Sequence, residues 1–552
     1  MSRTNYKAIL DTVTQEVKSI ADEKVQSILT TLLNLVEAVI DENEQLRKEN
    51  QDLRDENNRL KGEQGKPNIR KQTQPNPNIS SENERRKRNK EKQENKKSKK
   101  HPKISIDRVE LCSIDKAQLP ADAIFKGYES VIVQDIVIKT DNVEFKKEVY
   151  YSPSLKKTFL APLPNGYVGE FGPTIKALII SLYHDLKVTE SNIHKFLTNH
   201  GTHISTGSIS NFLINNHEEF HKEKQAIVVA GLNSTPYQQM DDTGARVNGK
   251  NYYVHVLCNE FYSAYFTRPH KDRLTIIEIL AQNNLQFVFN TRAFALMKEM
   301  GLSVKVFHEI RGQYAGKTMD RKEIDAALIT FFPNPHKQLT TRQIILESTA
   351  IAAYQALPYA TQLLLTDDAP QYNKIARYHP LCWVHDGRHY KKLNPISYLN
   401  REKFDDFITQ YWDYYGKLRD YKACPTAEAA SSLSAEFDRL FSTKTGYDKL
   451  DERIAKTNEK KDQLLLVLSY PTVPLHNNDS ELGARDQARR RDMSFHTMSD
   501  DGTAAKDTFM TLAQTARKLS VNFYHYVFDR ISKKYDLLSL DFLITQRATQ
   551  VA

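Results

Sequence analysis

Cysteine is scarce in this chain, with four residues in 552, at Cys112, Cys258, Cys382 and Cys424. That number and scatter exclude a disulfide framework and fit a reducing compartment. Long apolar runs are missing too. The stretch IKALIISLY, residues 175–183, falls well short of the roughly 20 residues a membrane helix needs. The opening MSRTNYKAILDTVTQEV lacks the apolar core of a cleavable leader. With 39% hydrophobic residues and a mean hydropathy of −0.59, the composition predicts a soluble cytoplasmic or nucleoid-associated protein with no membrane partner. Single hydrophobic cores stop growing at about 250–300 residues, so this length implies several domains.

What the sequence does hold is positive charge, gathered in one place. The formal net charge is +9, and residues 81–103, SENERRKRNKEKQENKKSKKHPK, carry eleven Lys and Arg against four Glu. Arg85, Arg86, Lys87, Arg88, Lys96 and Lys97 are its candidate contacts to DNA phosphates. A solvated linker describes the same run. The two descriptions are compatible, because a disordered basic arm still releases counterions when it binds a polyanion.

Upstream, Val25, Leu32, Val39, Leu46, Leu53 and Leu60 recur every seven residues, with Leu29, Val36, Asn43, Asn50 and Asn57 as companions. Such a seam predicts a parallel two-stranded zipper over 25–60, in which the Asn residues fix register and oligomer state. The alternative, an amphipathic helix lying on its own domain, calls for a broader apolar stripe than these charged flanks leave. Residues 1–65 therefore read as a dimerisation helix and 66–103 as a basic linker. Over 104–165, SVIVQDIVIKT and VEFKKEVYYSP alternate in the manner of short antiparallel strands. In 166–222, Ile193, Phe196 and Leu197 share one helical face and Ile209, Phe212 and Leu213 another, with Thr189 and Ser205 as N-caps and Gly201 between. Two short helices across such a turn resemble a helix-turn-helix, whose second helix offers Thr206, Ser208 and Asn211 to DNA. An ordinary helical hairpin has the same spacing.

From residue 223 the texture is α/β. STPYQQMDDTGARV predicts a strand ending at MDD, followed by strands over 252–258 and 262–267 and a helix over 272–280. TQLLLTDDAPQYNKI, residues 361–375, reads as strand, acidic pair, helix. Strands ending in acidic residues are where an open α/β sheet places a site, which points to Asp241 or Asp242 and to Asp367 or Asp368. Glu481, in HNNDSELGARDQARRRD, is the third candidate. With Asn478 as N-cap it falls at the third helical position, where a capping box explains it without chemistry. Like charges about 4 Å apart repel by roughly 4 kcal/mol at an effective dielectric of 20, so three convergent carboxylates call for a counter-ion. Oxygen-only ligands select Mg²⁺ or Mn²⁺, and a pair of such ions serves in-line phosphoryl displacement.

The blocks MDDTGARV, LTDDAPQYNKIARYHPLCWVHDGRHYKKL and HNNDSELGARDQARRRDMSFHTMSDDGTAAKDTFMTLAQTARKL resemble, in order, the signatures of the insertion-sequence-66 family of transposases, behind the family's leader of zipper, basic segment and helical pair. The resemblance spans nearly the whole chain. It implies a multidomain α+β protein in which a DDE catalytic domain of ribonuclease-H-like fold occupies 223–390 and 471–552 around a helical insertion at 391–470. It also implies Asp241, Asp367 and Glu481 as catalytic metal ligands, with Asp242 where the family has Glu. Arg485 stands one turn beyond Glu481, at the spacing that holds a carboxylate or contacts a phosphate. Many family members carry paired Cys-x-x-Cys between zipper and helices. This chain has only Cys112 there, so a structural zinc is not expected. Cys382 and His385 have the spacing of half a metal site with no second pair following, and read as buried structure beside the site, with Arg388 and His389 as candidate DNA contacts.

The expected function is then that of a transposase binding element ends as a zipper-linked dimer, with accessory proteins of the same element as possible partners. A DNA-binding regulator or immobile relic without chemistry is the alternative, and a nuclease that never joins ends is another. The excursion over 307–343 reads either as a second insertion touching DNA or as a solvated loop.

Overall fold

The computed structural model describes residues 3–60, 105–115, 119–120, 123–334, 336–494 and 496–551. The basic segment, with Arg85, Arg86, Lys87, Arg88, Lys96 and Lys97, lies outside the described residues. Among the described residues no helix is long and apolar enough to cross a membrane.

The chain opens with α1 (Arg3–Lys18) and α2 (Glu23–Leu60), the latter capped by Asp22, whose Oδ1 accepts from Lys24 N and Val25 N. The two form a hairpin whose apolar face is Leu10, Val17 and Leu33, closed by Ile396 and flanked by Leu29 and Ile40. Glu37 is buried in this contact. Its carboxylate accepts from Ile396 N (2.6 Å), Ser397 N (3.3 Å) and Asn400 Nδ2 (2.9 Å). Asp11 holds Arg401 through both oxygens at 2.7 Å. The heptad residues Val25, Leu32, Val39, Leu46 and Leu53 lie on another face of α2 and are 42–70% exposed.

The expected strands over 130–140 are not formed. Residues 123–148 carry no regular structure, and Val131, Val133, Ile136 and Val137 are at least 80% exposed. Their apolar residues run consecutively, so a strand here needs cover on both faces. The described residues supply none. Only β1 (Val149–Ser152) and β2 (Lys157–Leu160) pair, as a small antiparallel ribbon.

Four helices follow, α3 (Pro173–His184), α4 (Glu190–Asn199), α5 (Thr206–Ile214) and α6 (Glu218–Ser234). As expected, Thr189 and Ser205 cap α4 and α5 by accepting from Asn192 N and Ser208 N, and Gly201 turns the chain at φ +84°. Ile193, Leu197, Ile209 and Leu213 are buried in the main core. Thr206 and Asn211 are exposed and Ser208 is half-buried.

The sheet has β3 (Tyr237–Val247), β4 (Lys250–Cys258), β5 (Ser263–Arg268) and β8 (Leu363–Leu365), in the order β5-β4-β3-β8. β3, β4 and β5 are antiparallel neighbours, and β8 runs parallel to β3. The first strand does not stop at the acidic pair but continues to Val247. Asn248 and Gly249, at φ +46° and +74°, make the tight turn that sends β4 back. The pair Phe287–Val288 and Thr318–Met319 (β6, β7) forms a separate ribbon.

Between β5 and β8 lie α7 (Arg273–Leu280), α8 (Thr291–Glu299), α9 (Val304–Tyr314), α10 (Arg321–Phe331) and α11 (Leu339–Gln355). Phe307, Ile310, Ile324, Leu328 and Phe332 are buried in the main core. The stretch 307–343 is therefore no solvated loop.

After β8 a single 3-10 turn, Pro370–Tyr372, replaces the expected helix. Next come α12 (Trp383–Tyr390) and the insertion helices α13 (Tyr398–Ala423), α14 (Ala427–Phe441) and α15 (Asp448–Asn458), which enclose a second core around Trp383, Tyr411, Tyr414 and Phe437. The chain ends with α16 (Asn478–Ser494), α17 (Asp500–Lys518), α18 (Phe523–Ile531) and α19 (Leu540–Val551). Helix α17 blunts the free edge of β5. Thr515, Thr511 and Asp507 accept from Ser263 N, Tyr265 N and Thr267 N. Four helical residues rise about 6.0 Å and two strand residues about 6.6–6.8 Å, so every fourth side chain of the helix meets every second amide of the strand.

Glu37→Ala leaves two buried backbone donors without an acceptor, at a cost of about 2–4 kcal/mol. Urea unfolding of the full chain is expected to record that loss, with faster proteolytic release of the α1–α2 hairpin. An unchanged midpoint and digestion pattern would mean the contact does not hold the hairpin.

Candidate active site

Parallel pairing fixes where two of the acidic residues stand. Gln239 pairs with Leu365, and Asp241 and Asp367 each lie two residues further along adjacent chains. Strand alternation then separates the Asp pair. Asp241 lies opposite Val256, which lies opposite Tyr265, and these share one face. Asp242 points to the other face, where it meets Lys271 Nζ (3.8 Å), Gln371 Nε2 (3.3 Å) and Tyr372 Oη (3.5 Å). Asp368 is drawn away into an ion pair with Lys460 of the insertion, while Asp367 Oδ1 accepts from Ala369 N at 3.2 Å.

Helix α16 packs on the Asp241 face through Ala484, against Ala245, Val254 and Val256. A Cβ on Gly483 would stand 2.7 Å from Val256 Cγ1 and 3.2 Å from Tyr265 Oη, so only glycine lets the helix press this close. Glu481, two residues earlier, is thereby carried over the same side of the sheet. The helix starts one residue sooner than Asn478 as cap implies. Glu481 N donates to Asn477 O at 3.1 Å, which makes Glu481 the fourth helical residue. The expected capping box is accordingly not the carboxylate's role. Its oxygens instead face Arg388 Nη2 (2.9 Å), Arg485 Nη2 (3.6 Å) and His385 Nε2 (3.6 Å).

Arg388 and His385 come from α12, whose start is pinned by Trp383 N donating to Leu475 O at 3.0 Å and Trp383 Nε1 to Leu464 O at 2.9 Å. Arg388 Nη1 also donates to His385 Nε2 at 2.9 Å. Among the described residues, one trio of His, Cys or acidic side chains has its ligand atoms all within 4.8 Å of one another, and it is Cys382, His385 and Glu481 rather than the three carboxylates.

Burial, reinforced by the charges of Asp367, Glu481 and Asp242 and opposed by the Asp242 N–H that Asp241 accepts at 2.8 Å, pushes the Asp241 carboxyl up to about 7. The three carboxylates thus share one field, and their negative charge is incompletely offset.

Along the β3–β4 hairpin, beyond Asp241 on β3, opens a groove of about 730 Å³ whose lining includes Gly244, Arg246, Tyr252, Tyr253, Arg491 and Asp492. Arg491 Nη1 donates to Gly244 O at 2.7 Å, on the edge of β3 that β8 is too short to cover. None of these residues was singled out by sequence. The arginine run at 489–491 was the available signal, but its members diverge, for Arg490 is buried on Tyr183. The groove lining does not include Thr206, Ser208 or Asn211.

The chain matches the family model described as Transposase IS66 family over residues 317–505. That segment holds Asp367 and Glu481 and begins after Asp241. The chain is also similar to the uncharacterized protein y4jO of Sinorhizobium fredii (strain NBRC 101917 / NGR234), 29% identical over 306 residues, which are 55% of this chain and 94% of that relative.

An Asp carboxyl has a pKa of about 3.9 in an unfolded chain, so the raised folded value makes Asp241 a source of instability that develops as pH rises from about 4 through 7. In chelator, Asp241→Asn is expected to melt with wild type at pH 4 and to be more stable at pH 8, by up to about 4 kcal/mol. Equal stabilities at pH 8 would contradict the burial of Asp241 among other carboxylates.

Proposed function

We propose that this chain, an IS66-family transposase by its match over residues 317–505, binds the ends of an insertion sequence, cleaves strands there and joins the freed 3′ hydroxyls to target DNA. The observation that carries this reading is the delivery of Asp241, Asp367 and Glu481, from three separate segments, to one side of one sheet end. That placement supports a DDE site on a ribonuclease-H-like sheet. The oxygen-only donor set suits Mg²⁺ or Mn²⁺, and the burial and negative charge that together lift the Asp241 carboxyl are what a divalent cation offsets. When bound, such ions stabilise the attacking and leaving oxygens of an in-line displacement.

The chain's other residues orient and bind. Arg388 and Arg485 hold Glu481, and Arg485, half exposed, also faces outward to a phosphate. Asp242 and Asp368, engaged elsewhere, are outside the proposed ligand set. Arg246 and Arg491 line the groove along the β3–β4 hairpin with two tyrosines and one carboxylate, Asp492, and arginines beside stacking surfaces suit a DNA strand. The α4–α5 pair and the basic segment add duplex contacts through Thr206, Ser208, Asn211 and the Arg and Lys of 85–97. The exposed heptad face of α2 supports a homodimer. Such a protein works on the bacterial nucleoid, alone or with accessory proteins of its element. A DNA-binding regulator without chemistry is the competing reading, favoured by one feature: Glu481 is turned toward Arg388 and His385 rather than gathered with the aspartates.

Strand cleavage and joining on DNA carrying the element's own ends separates the two. Glu481→Gln is expected to bind those ends within about twofold of wild type while both reactions fall at least about 100-fold. Wild type that binds the ends yet neither cuts nor joins, with accessory proteins supplied, makes the regulator the better account.

The dimer is tested apart from catalysis. Placing charge in the seam with Leu46→Glu and Leu53→Glu is expected to convert a sedimenting dimer to monomer. A wild-type monomer at micromolar concentration, or an unaltered dimer in the double variant, removes the zipper.

A further inference from the structure

Cys382 and His385 look like half a metal site in sequence, and the structure supplies a third donor from a distant segment. Cys382 precedes α12 and is 1% exposed. His385 lies three residues on, the spacing at which two side chains share a helical face. Glu481 approaches from α16, and one ligand atom of each lies within 4.8 Å of the others. Around a tetrahedral zinc with Zn–S of about 2.3 Å and Zn–N of about 2.0 Å, neighbouring donors stand about 3.5 Å apart. Side-chain rotation of about an ångström closes that difference.

A second observation is independent of these distances. His385 Nδ1 and both amide atoms of Asn477, a wholly buried side chain just before α16, face each other without a well-formed hydrogen bond. Buried polar atoms are seldom left unsatisfied, and a cluster of them calls for a ligand, ion or water. Arg388 occupies the outer side through His385 Nε2 and Glu481 Oε2, and its side chain, 36% exposed, has solvent to swing into.

Thiolate and imidazole favour a soft cation, opposite to the preference of carboxylates alone. We propose that Cys382, His385 and Glu481 form a three-ligand site for a thiophilic divalent cation, Zn²⁺, and that its occupation commits Glu481 away from Asp241 and Asp367 and silences strand cleavage. Binding forms the sulfur–zinc bond as the Cys382 thiol releases its proton to solvent, and water completes the fourth position. The inhibitory consequence rests on the proposed role of Glu481 in catalysis, whereas the binding does not.

Cobalt substitution tests the binding in the full chain. Metal-free protein titrated with Co²⁺ is expected to develop a thiolate-to-cobalt absorption that saturates at one ion per chain, is displaced by Zn²⁺, survives Cys112→Ser with Cys424→Ser, and disappears in Cys382→Ser. Zn²⁺ affinity, read against a chromophoric chelator, is expected to fall more than the about 10–100-fold that loss of an outer-shell partner costs. His385→Gln serves as the second variant should Cys382→Ser not fold. The site is overturned if wild type gives no such band or if the band persists in both variants. Cleavage assayed in Mg²⁺ with one equivalent of Zn²⁺ then tests the switch, with at least tenfold inhibition expected for wild type and little for Cys382→Ser. Stoichiometric binding without inhibition overturns the switch. Wild type that is inactive with or without Zn²⁺ but shows the band leaves the site standing and counts against the transposase reading instead.

Discussion

The brevity of one strand pairing governs this molecule's site. β8 bonds to β3 over three residues, Tyr237–Gln239 against Leu363–Leu365, and the two carboxylates stand just beyond the point where that ladder ends. A longer β8 would satisfy the edge of β3 and bury the acids between paired strands. Because it stops, the chain turns away at Asp367, bridges back at Thr366 to Leu381 and starts α12. The uncovered edge of β3 is left for Arg491 and for Thr497, which bridges Val247. The carboxylates, the arginine that reaches Glu481 and the groove along the β3–β4 hairpin all follow from one strand being short.

The same end of the sheet is where polar satisfaction is least complete. At the opposite edge, α17 meets β5 with an acceptor for every second amide. Around Asp241 the reverse holds, for the charges acting on it are other carboxylates, and Arg388, a cation it interacts with, is divided between Glu481 and His385. Functional sites concentrate such unfavourable electrostatics, and surrounding rigidity is what maintains them. That rigidity is visible in α12, where Asp386 accepts from Tyr411 Oη and Thr457 Oγ1 and pairs with Arg453. A Cβ on Gly387 would stand 2.7 Å from the Trp412 ring.

Local chemistry was legible in the sequence, and long-range contact was not. The caps at Thr189 and Ser205 and the turn at Gly201 follow from spacing alone, because each depends on residues within a turn or two. The Asn-Gly of residues 248–249 was equally legible as a hairpin signal, and missing it ended β3 too early. Spacing alone left Asp241 and Asp242 open, and the face each takes depends on strand pairing, which sequence does not carry. SVIVQDIVIKT has strand composition, but a strand exists only with a partner, and β propensity describes fit to a half-buried surface. Glu481 suggested a cap because Asn-x-x-Glu is a local pattern, whereas its partner Arg388 lies 93 residues away. Cys382 and His385 were set aside for the same reason, since their third neighbour comes from α16.

Helix α2 has two apolar faces, one docked and one exposed. Val25, Leu32, Val39, Leu46 and Leu53 stay exposed while Leu33, Glu37 and Ile40 face the insertion, and Leu29, a companion of the seam, is shared with that docking face. The docking face holds the insertion, where Glu37 meets Ser397 and Asn400 on α13. The insertion in turn reaches the site, since Arg453 of α15 pairs with Asp386 of α12 and Lys460 pairs with Asp368, next to Asp367. Helix α2 and the acidic residues are therefore joined by continuous packing and ion pairs through the insertion. Were a second α2 to pair along the exposed face, as proposed, it would bring its own insertion with it, and that pairing would set the separation of the two acidic sites.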